Sequence, residues 1–299
     1  MRARWLFSDS RFVFAVSIVA GLVLPDVASW MEPSLLWVGV VLMTATLLDV
    51  DLGSFHSYKW SSIASLLALN YVLLSGSYVA VSLLFTPPVS SVIVLLALMP
   101  PSIGVISLTH VLDGNPDISF YAECVAYAVS LVIIPFASVF FIGGLTSVWP
   151  IIRILAWLLV VPVLASRVLR WVLTHRFSSF AGFVKPVYLL AYAVSFFIVI
   201  GVNQEQLLGN PGVVAGIGGA LAAVKVFVSS AVHFSLRDTL RRSGDVDAVL
   251  FASFKNGGMA VIFVVATLGA GASLPLAVNS LLAPFHIVYL EHWLLPALK

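Results

Sequence analysis

Runs of Leu, Val, Ile, Ala and Phe at helix length recur along the chain, separated by short polar stretches and never by a polar domain. A membrane-spanning helix needs about 20 apolar residues, so the pattern predicts about ten spans. They fall near 12–30, 34–49, 60–86, 90–112, 117–143, 148–172, 184–203, 211–234, 247–269 and 273–297. The last two almost run together through "GAGAS". The layout repeats in two halves, 1–145 and 146–299. In each, the second span runs into a short polar loop and the fourth is interrupted, by "MPPSIG" in one half and "FKNGG" in the other. Five spans per half make the second half enter the membrane from the opposite side. That is the inverted-repeat plan, in which matching broken helices meet near the midplane. The expected fold is an all-α polytopic membrane protein of two inverted five-helix repeats with helices 4 and 9 broken and crossing.

Composition agrees. The 299 residues are 61% hydrophobic and 9% charged, against about 25% charged in soluble domains. The single cysteine, Cys124, excludes an intramolecular disulfide framework and a cysteine-based metal cluster. The net charge of +2 is small, and its placement carries the information. With the N-terminus in the cytoplasm, the inner side receives Arg2, Arg4, Arg11, Lys59, Arg167, Arg170, Arg176, Lys185, Arg237, Arg241, Arg242 and Lys299. The outer side receives Arg153 alone. This asymmetry and the even span count both place the two termini in the cytoplasm, at the plasma membrane. The apolar run after "MRARWLFSDSR" lacks a small-residue cleavage site, so it reads as a retained first helix.

The candidate chemistry lies in the two interruptions. Pro100 and Pro101 remove two N–H donors and free carbonyls of the preceding turn. Ser102 and Gly104 follow, both small. In lipid, backbone broken in this way must face protein or a wet cavity. A simple kink is the alternative, and the matching break at Asn256, Gly257 and Gly258 weighs against it. Lys255 stands in that second break. A lysine near a helix centre costs about 2.5–3.5 kcal/mol to insert, so it must have a partner or a task. It can bind a ligand, cap the freed carbonyls, or snorkel to the cytoplasmic side.

Other polar residues lie at similar depth. Lys225 in the eighth span has Glu123 in the fifth as a candidate counter-ion. Asn70 in the third reads either as a site residue or as a helix–helix hydrogen bond. Ser107 and Thr109 either line a site or bond back to their own helix. His110, Asp113 and Asp117 cluster at the end of the fourth span, where "DGNPD" also reads as a turn. His286 and His292 in "HIVYLEHW" do not share a helix face, so a metal site is not expected there. The chain has no phosphate-binding loop, no H-E-x-x-H, no G-x-S-x-G and no basic soluble surface for nucleic acid.

"VAGLVLP", "LMTATLLDVDLGSF", "MPPSIGVISLTHVLDGNPDIS" and "FKNGGMAVIFVVATLGAGASLPLAVNSLLAPFHIV" together resemble the bile acid:sodium symporter family and its auxin-efflux-carrier-like relatives. In layout the resemblance covers nearly the whole chain. It implies a panel and a core subdomain, with an alternating-access site where spans 4 and 9 cross. Sodium-coupled members carry a glutamate and a glutamine in span 9 and a Ser-Asn pair in span 4. Here Phe251 and Lys255 stand at the first two positions and Val105 and Ile106 at the second two. Asn70 fits the family's polar position in span 3.

The expected function is therefore secondary transport of a small organic anion without the family's usual sodium sites. Lys255 would supply the missing positive charge, pairing with the substrate or cycling a proton. No cofactor is expected, with H+ or Na+ as the candidate coupling ion. The alternatives are a proton- or sodium-linked exchanger of the antiporter type and a non-transporting sensor or assembly subunit.

Overall fold

The computed structural model describes residues 10–48, 60–102, 104–142, 156–176, 181–238 and 242–295, together with positions 149 and 153. Arg2, Arg4, Lys59, Arg241 and Lys299, which help to set the expected orientation, lie outside them, as does most of the expected span start at 148–155.

The described chain is helical, with no strand among the described residues. The helices are α1 (Ser10–Val23), α2 (Pro25–Met31), α3 (Leu35–Leu48), α4 (Trp60–Ser82), α5 (Val89–Leu98), α6 (Gly104–Val111), α7 (Pro116–Ile142), α8 (Val161–Arg176), α9 (Ala181–Val202), α10 (Gln204–Gly209), α11 (Pro211–Leu236), α12 (Arg242–Phe251), α13 (Gly257–Leu268) and α14 (Leu274–Tyr289). Among the described residues, six helical runs are long and apolar enough to cross a membrane: Pro25–Ala45, Trp60–Ser82, Pro116–Phe136, Ala156–Thr174, Pro211–Leu236 and Leu274–Leu294. Phe12–Val23, Val89–Leu98, Leu189–Val202 and Gly257–Leu268 are shorter apolar helices. Their outward faces are greasy; Val19, Val23, Val72, Phe136, Phe227 and Phe285 are all exposed. The protein is an all-helical, multi-pass membrane protein.

The first expected boundary shifts. Pro25 has no N–H to give the Gly21 carbonyl, and α1 stops before it. The 3-10 turn Glu32–Ser34 then links α2 to α3, so the long apolar run crosses the expected loop at residues 31–33.

The helices sort into two packed groups. In the first, α9 is central and packs on α1, α2 and α3, and α3 packs on α8. The second contains α4, α5, α6, α7, α11, α12, α13 and α14. Two of these pairings, α1 with α9 and α3 with α8, run parallel. Along α3 and the chain leading into α8, Trp37 meets Trp157 edge-on at 5.1 Å, and the Arg167 guanidinium donates to the Leu47 carbonyl. Along α1 and α9, Phe14 stacks on Phe196 at 5.1 Å, and Gly21 lies against Phe197 and Gly201. The close approach needs both glycines. A Cβ on Gly21 would come within 2.8 Å of the Phe197 carbonyl, and one on Gly201 would overlap Ala28. Small residues at such contacts let membrane helices pack backbone to backbone.

In the second group the two interruptions are real helix ends. Met99, before two prolines, is extended (φ −65°, ψ 150°), as a pre-proline residue prefers. On the other side α12 ends at Phe251, and α13 starts anew with Asn256 as its cap, whose side chain accepts from the Met259 N–H at 2.9 Å. Gly269, at φ +86°, ends α13 in a conformation that favours glycine.

Candidate functional site

The two broken stretches meet. Pro101 and Lys255 form an isolated antiparallel bridge, and the Asn256 N–H donates to the Pro100 carbonyl at 2.8 Å. Four half-helices therefore end around one short piece of extended backbone: α5 and α12 arrive, α6 and α13 leave.

Ending helices inside a membrane protein orphans carbonyls, and each must find a donor. The Lys255 ammonium donates to the Met99 carbonyl at 2.9 Å and to Asn70 Oδ1 at 2.6 Å. It also lies over the Tyr71 ring, 4.7 Å from the centroid. The Asn70 amide in turn donates to the Phe251 and Phe254 carbonyls at 2.8 and 3.2 Å. The Ser75 hydroxyl takes the Ala97 carbonyl at 2.7 Å. The Lys225 ammonium reaches the Ser253 carbonyl at 3.4 Å and lies over the Phe254 ring at 5.3 Å. Both lysines are buried, Lys255 with 4% and Lys225 with 2% of its surface exposed, so neither snorkels.

Local structure explains why Asn70 can serve both breaks. It lies in the π-helical stretch Leu69–Leu74 of α4, where the ladder widens. Such bulges turn side chains away from regular helical spacing and recur at functional sites. Asn70 is fully buried, and its amide faces α12 while its carbonyl faces Lys255.

Around this core lies a second ring of polar groups. The Asn256 amide donates to the Tyr127 hydroxyl at 2.6 Å. Gly257 has no side chain where the Asn279 amide nitrogen approaches; a Cβ there would sit 3.1 Å from it. Asn279 Oδ1 is buried without a hydrogen-bond partner among the described residues. At the other break, Ser102 and Tyr192 share a hydrogen bond of 3.3 Å that crosses from the second helix group to the first. The starts of α6 and α13, with their positive dipole ends, thus open beside polar side chains near the boundary between the groups.

Several sequence expectations resolve differently. Pro100, Pro101, Ser102, Asn70, Lys255, Asn256 and Gly257 come together. Thr109 does not join them: its hydroxyl is spent on the Ile106 carbonyl of its own helix at 2.7 Å, and its side chain is buried. Ser107 belongs to the same helix, and its side chain lies outside the described residues, as does that of His110. Lys225 and Glu123 do not pair. They sit on α11 and α7, which pack on different neighbours apart from α4, and Lys225 faces the α12 end instead. Asp113 closes α6 with a left-handed conformation (φ 62°), and Asn115 caps α7 through the Asp117 and Ile118 N–H groups, both at 3.2 Å. That cluster is a turn. Sequence reading missed Tyr127 and Asn279. Asn279 carries the same signal that marked Asn70, an amide inside an apolar run, and Tyr127 lies one helical turn beyond Glu123.

No protein-family model matches the chain, and no curated protein matches it.

Proposed function

We propose that the protein is a secondary carrier of a small organic anion, working by alternating access on a bile acid:sodium symporter-like plan, with Lys255 standing where a coupling cation would bind. The observation that carries this reading is the crossing itself: an ammonium group held by Asn70 Oδ1 and the Met99 carbonyl beside the Pro101–Lys255 bridge. Oxygens gathered at a helix break are a cation's ligands, and here the cation is covalently part of the chain.

The anion preference rests on the half-helix starts. The N-termini of α6 and α13 offer positive dipole ends, and Asn256, Gly257 and Ser102 stand at them. The glycine leaves the backbone open to close approach. Lys255 and Lys225 keep the surroundings positive without occupying the helix starts.

Two packed groups suit a moving pair of bodies. The helix around which the first group is built, α9, meets the second through α13 and α14. The parallel pairings α1 with α9 and α3 with α8 require an odd number of crossings between their members. Spans 1 and 7, and spans 2 and 6, of a ten-span inverted repeat meet that requirement.

Purified protein in liposomes, supplied with labelled mono- and dicarboxylates, tests the reading. Uptake of at least one above the rate of empty vesicles is the expected result. If none moves, the fold serves as a non-transporting sensor or subunit.

A further inference from the structure

One buried charge-bearing group has no part in the crossing. Glu123 lies on α7 with 3% of its surface exposed, and its Oε1 has no hydrogen-bond partner among the described residues. No ion pair among the described residues includes it. An ionised carboxylate in hydrocarbon-like packing normally finds a cation or several N–H donors.

Its place on α7 is informative. Asn115, Ser119, Glu123 and Tyr127 are spaced four apart, so they form one stripe along the helix, each about 6 Å above the last. The two ends of the stripe are anchored on the broken ninth span. At the lower end Asp247 of α12 accepts from the Asn115 N–H at 2.8 Å and from the Ser119 hydroxyl at 3.4 Å. At the upper end the Tyr127 hydroxyl accepts from Asn256, the cap of α13. Glu123 is the step between them. The stripe thus leads from the Asp113–Asn115 turn to the start of α13.

We propose that Glu123 is a proton-binding site, loaded along the Asp247–Ser119–Tyr127 stripe, and that its proton couples to the anion bound at the start of α13. The coupling rests on the carrier reading above; the proton site does not. A proton is the cation that suits the geometry, because one oxygen satisfies it. Sodium or calcium would need a shell of several oxygens, whereas Oε1 has no hydrogen-bond donor among the described residues to share its charge. A bound proton removes the cost of burying a charged, unpartnered oxygen. Motion of the first helix group away from Tyr127 and Ser102 would wet the stripe and let the proton leave.

The titratable neighbours are few. On its own helix they are Cys124 and Tyr127. From α4 comes Tyr71, whose hydroxyl is engaged by the Ala126 carbonyl at 2.8 Å. From the first group come Tyr192, near Tyr127, and Arg167, near Cys124. The helix α5 carries none, and α6 carries His110. Asp247 stands one turn below, against Ser119.

Infrared difference spectra of the full-length protein in liposomes, taken between about pH 9 and about pH 5, read the site without any substrate. The expected spectrum contains the carbonyl band of a protonated carboxylic acid that grows on acidification, is missing from Glu123→Gln and returns, displaced, in Glu123→Asp. Superimposable spectra of wild type and Glu123→Gln overturn the proposal. For any carboxylate that the wild type takes up, Glu123→Gln is expected to keep substrate exchange and lose accumulation driven by a pH gradient. Unchanged accumulation overturns the coupling. A protein that moves no carboxylate at all removes the carrier reading, and the infrared band still decides the proton site.

Discussion

Lys255 and Asn70 hold each other across 185 positions of sequence, ammonium to amide oxygen at 2.6 Å, and between them they satisfy three carbonyls freed by two helix breaks. Neither helix break is complete without the other. Asn70 braces α12 from α4, and Lys255 closes the end of α5 from the second break.

Removing the ammonium leaves the Met99 carbonyl and Asn70 Oδ1 buried and unpaired. Each such acceptor costs about 1–3 kcal/mol. Lys255→Met is expected to lower the thermal unfolding temperature in detergent clearly, together with transport. An unfolding temperature equal to wild type removes the residue from the structural core of the site, and an unchanged uptake rate removes it from the mechanism.

Because the two side chains act as one unit, their losses should not add. Lys255→Ala and Asn70→Ala, measured singly and together by denaturant unfolding, are expected to show a coupling of about 1 kcal/mol or more, within the range for contacting residues in one network. Additive losses would mean that each side chain stabilises its carbonyls independently.

The tie between the helix groups predicts a lock. Asn203, at the end of α9, donates to the Ser273 hydroxyl at 2.7 Å, and Gln206 donates to the Gly271 carbonyl at 3.0 Å. With Cys124 replaced by serine, the pair Asn203→Cys and Ser273→Cys is expected to cross-link on oxidation and stop uptake, with reductant restoring it. Full uptake while cross-linked would show that this end of the boundary stays closed through the cycle.

The parallel α1–α9 contact depends on missing side chains. Gly201→Ala forces a Cβ onto Ala28 of α2 and to 3.2 Å from the Gly21 carbonyl of α1 and is expected to destabilise by about 1–3 kcal/mol. Gly219→Ala, where a Cβ meets nothing within 4 Å, should be neutral or slightly stabilising. Equal unfolding temperatures for the two variants would contradict the close packing.

Much of this architecture was legible in the sequence, because the signals were local. Two prolines in an apolar run and a lysine beside a glycine pair announced both helix breaks, and an amide at depth marked Asn70. What could not be read was partnership. Nothing in the spacing of Lys225 says that it turns to Ser253 and away from Glu123; that depends on how α11 packs against α12 and α14. Thr109 was ambiguous by nature, since a hydroxyl in a helix always has its own backbone within reach. Tyr127 was hidden for the opposite reason: a tyrosine in an apolar helix is ordinary until Asn256 is found on its hydroxyl. The first boundary moved because Pro25 ended a helix inside the expected span, while the Glu32–Ser34 turn kept the following run helical.

The central claim is that Lys255 occupies the place of a coupling cation. Its most direct test is carboxylate uptake by wild-type proteoliposomes with and without an inward sodium gradient, at matched ionic strength and pH. The rates are expected to be equal. Uptake that rises with the sodium gradient would contradict the claim, because an ion would then be binding where the ammonium is supposed to stand.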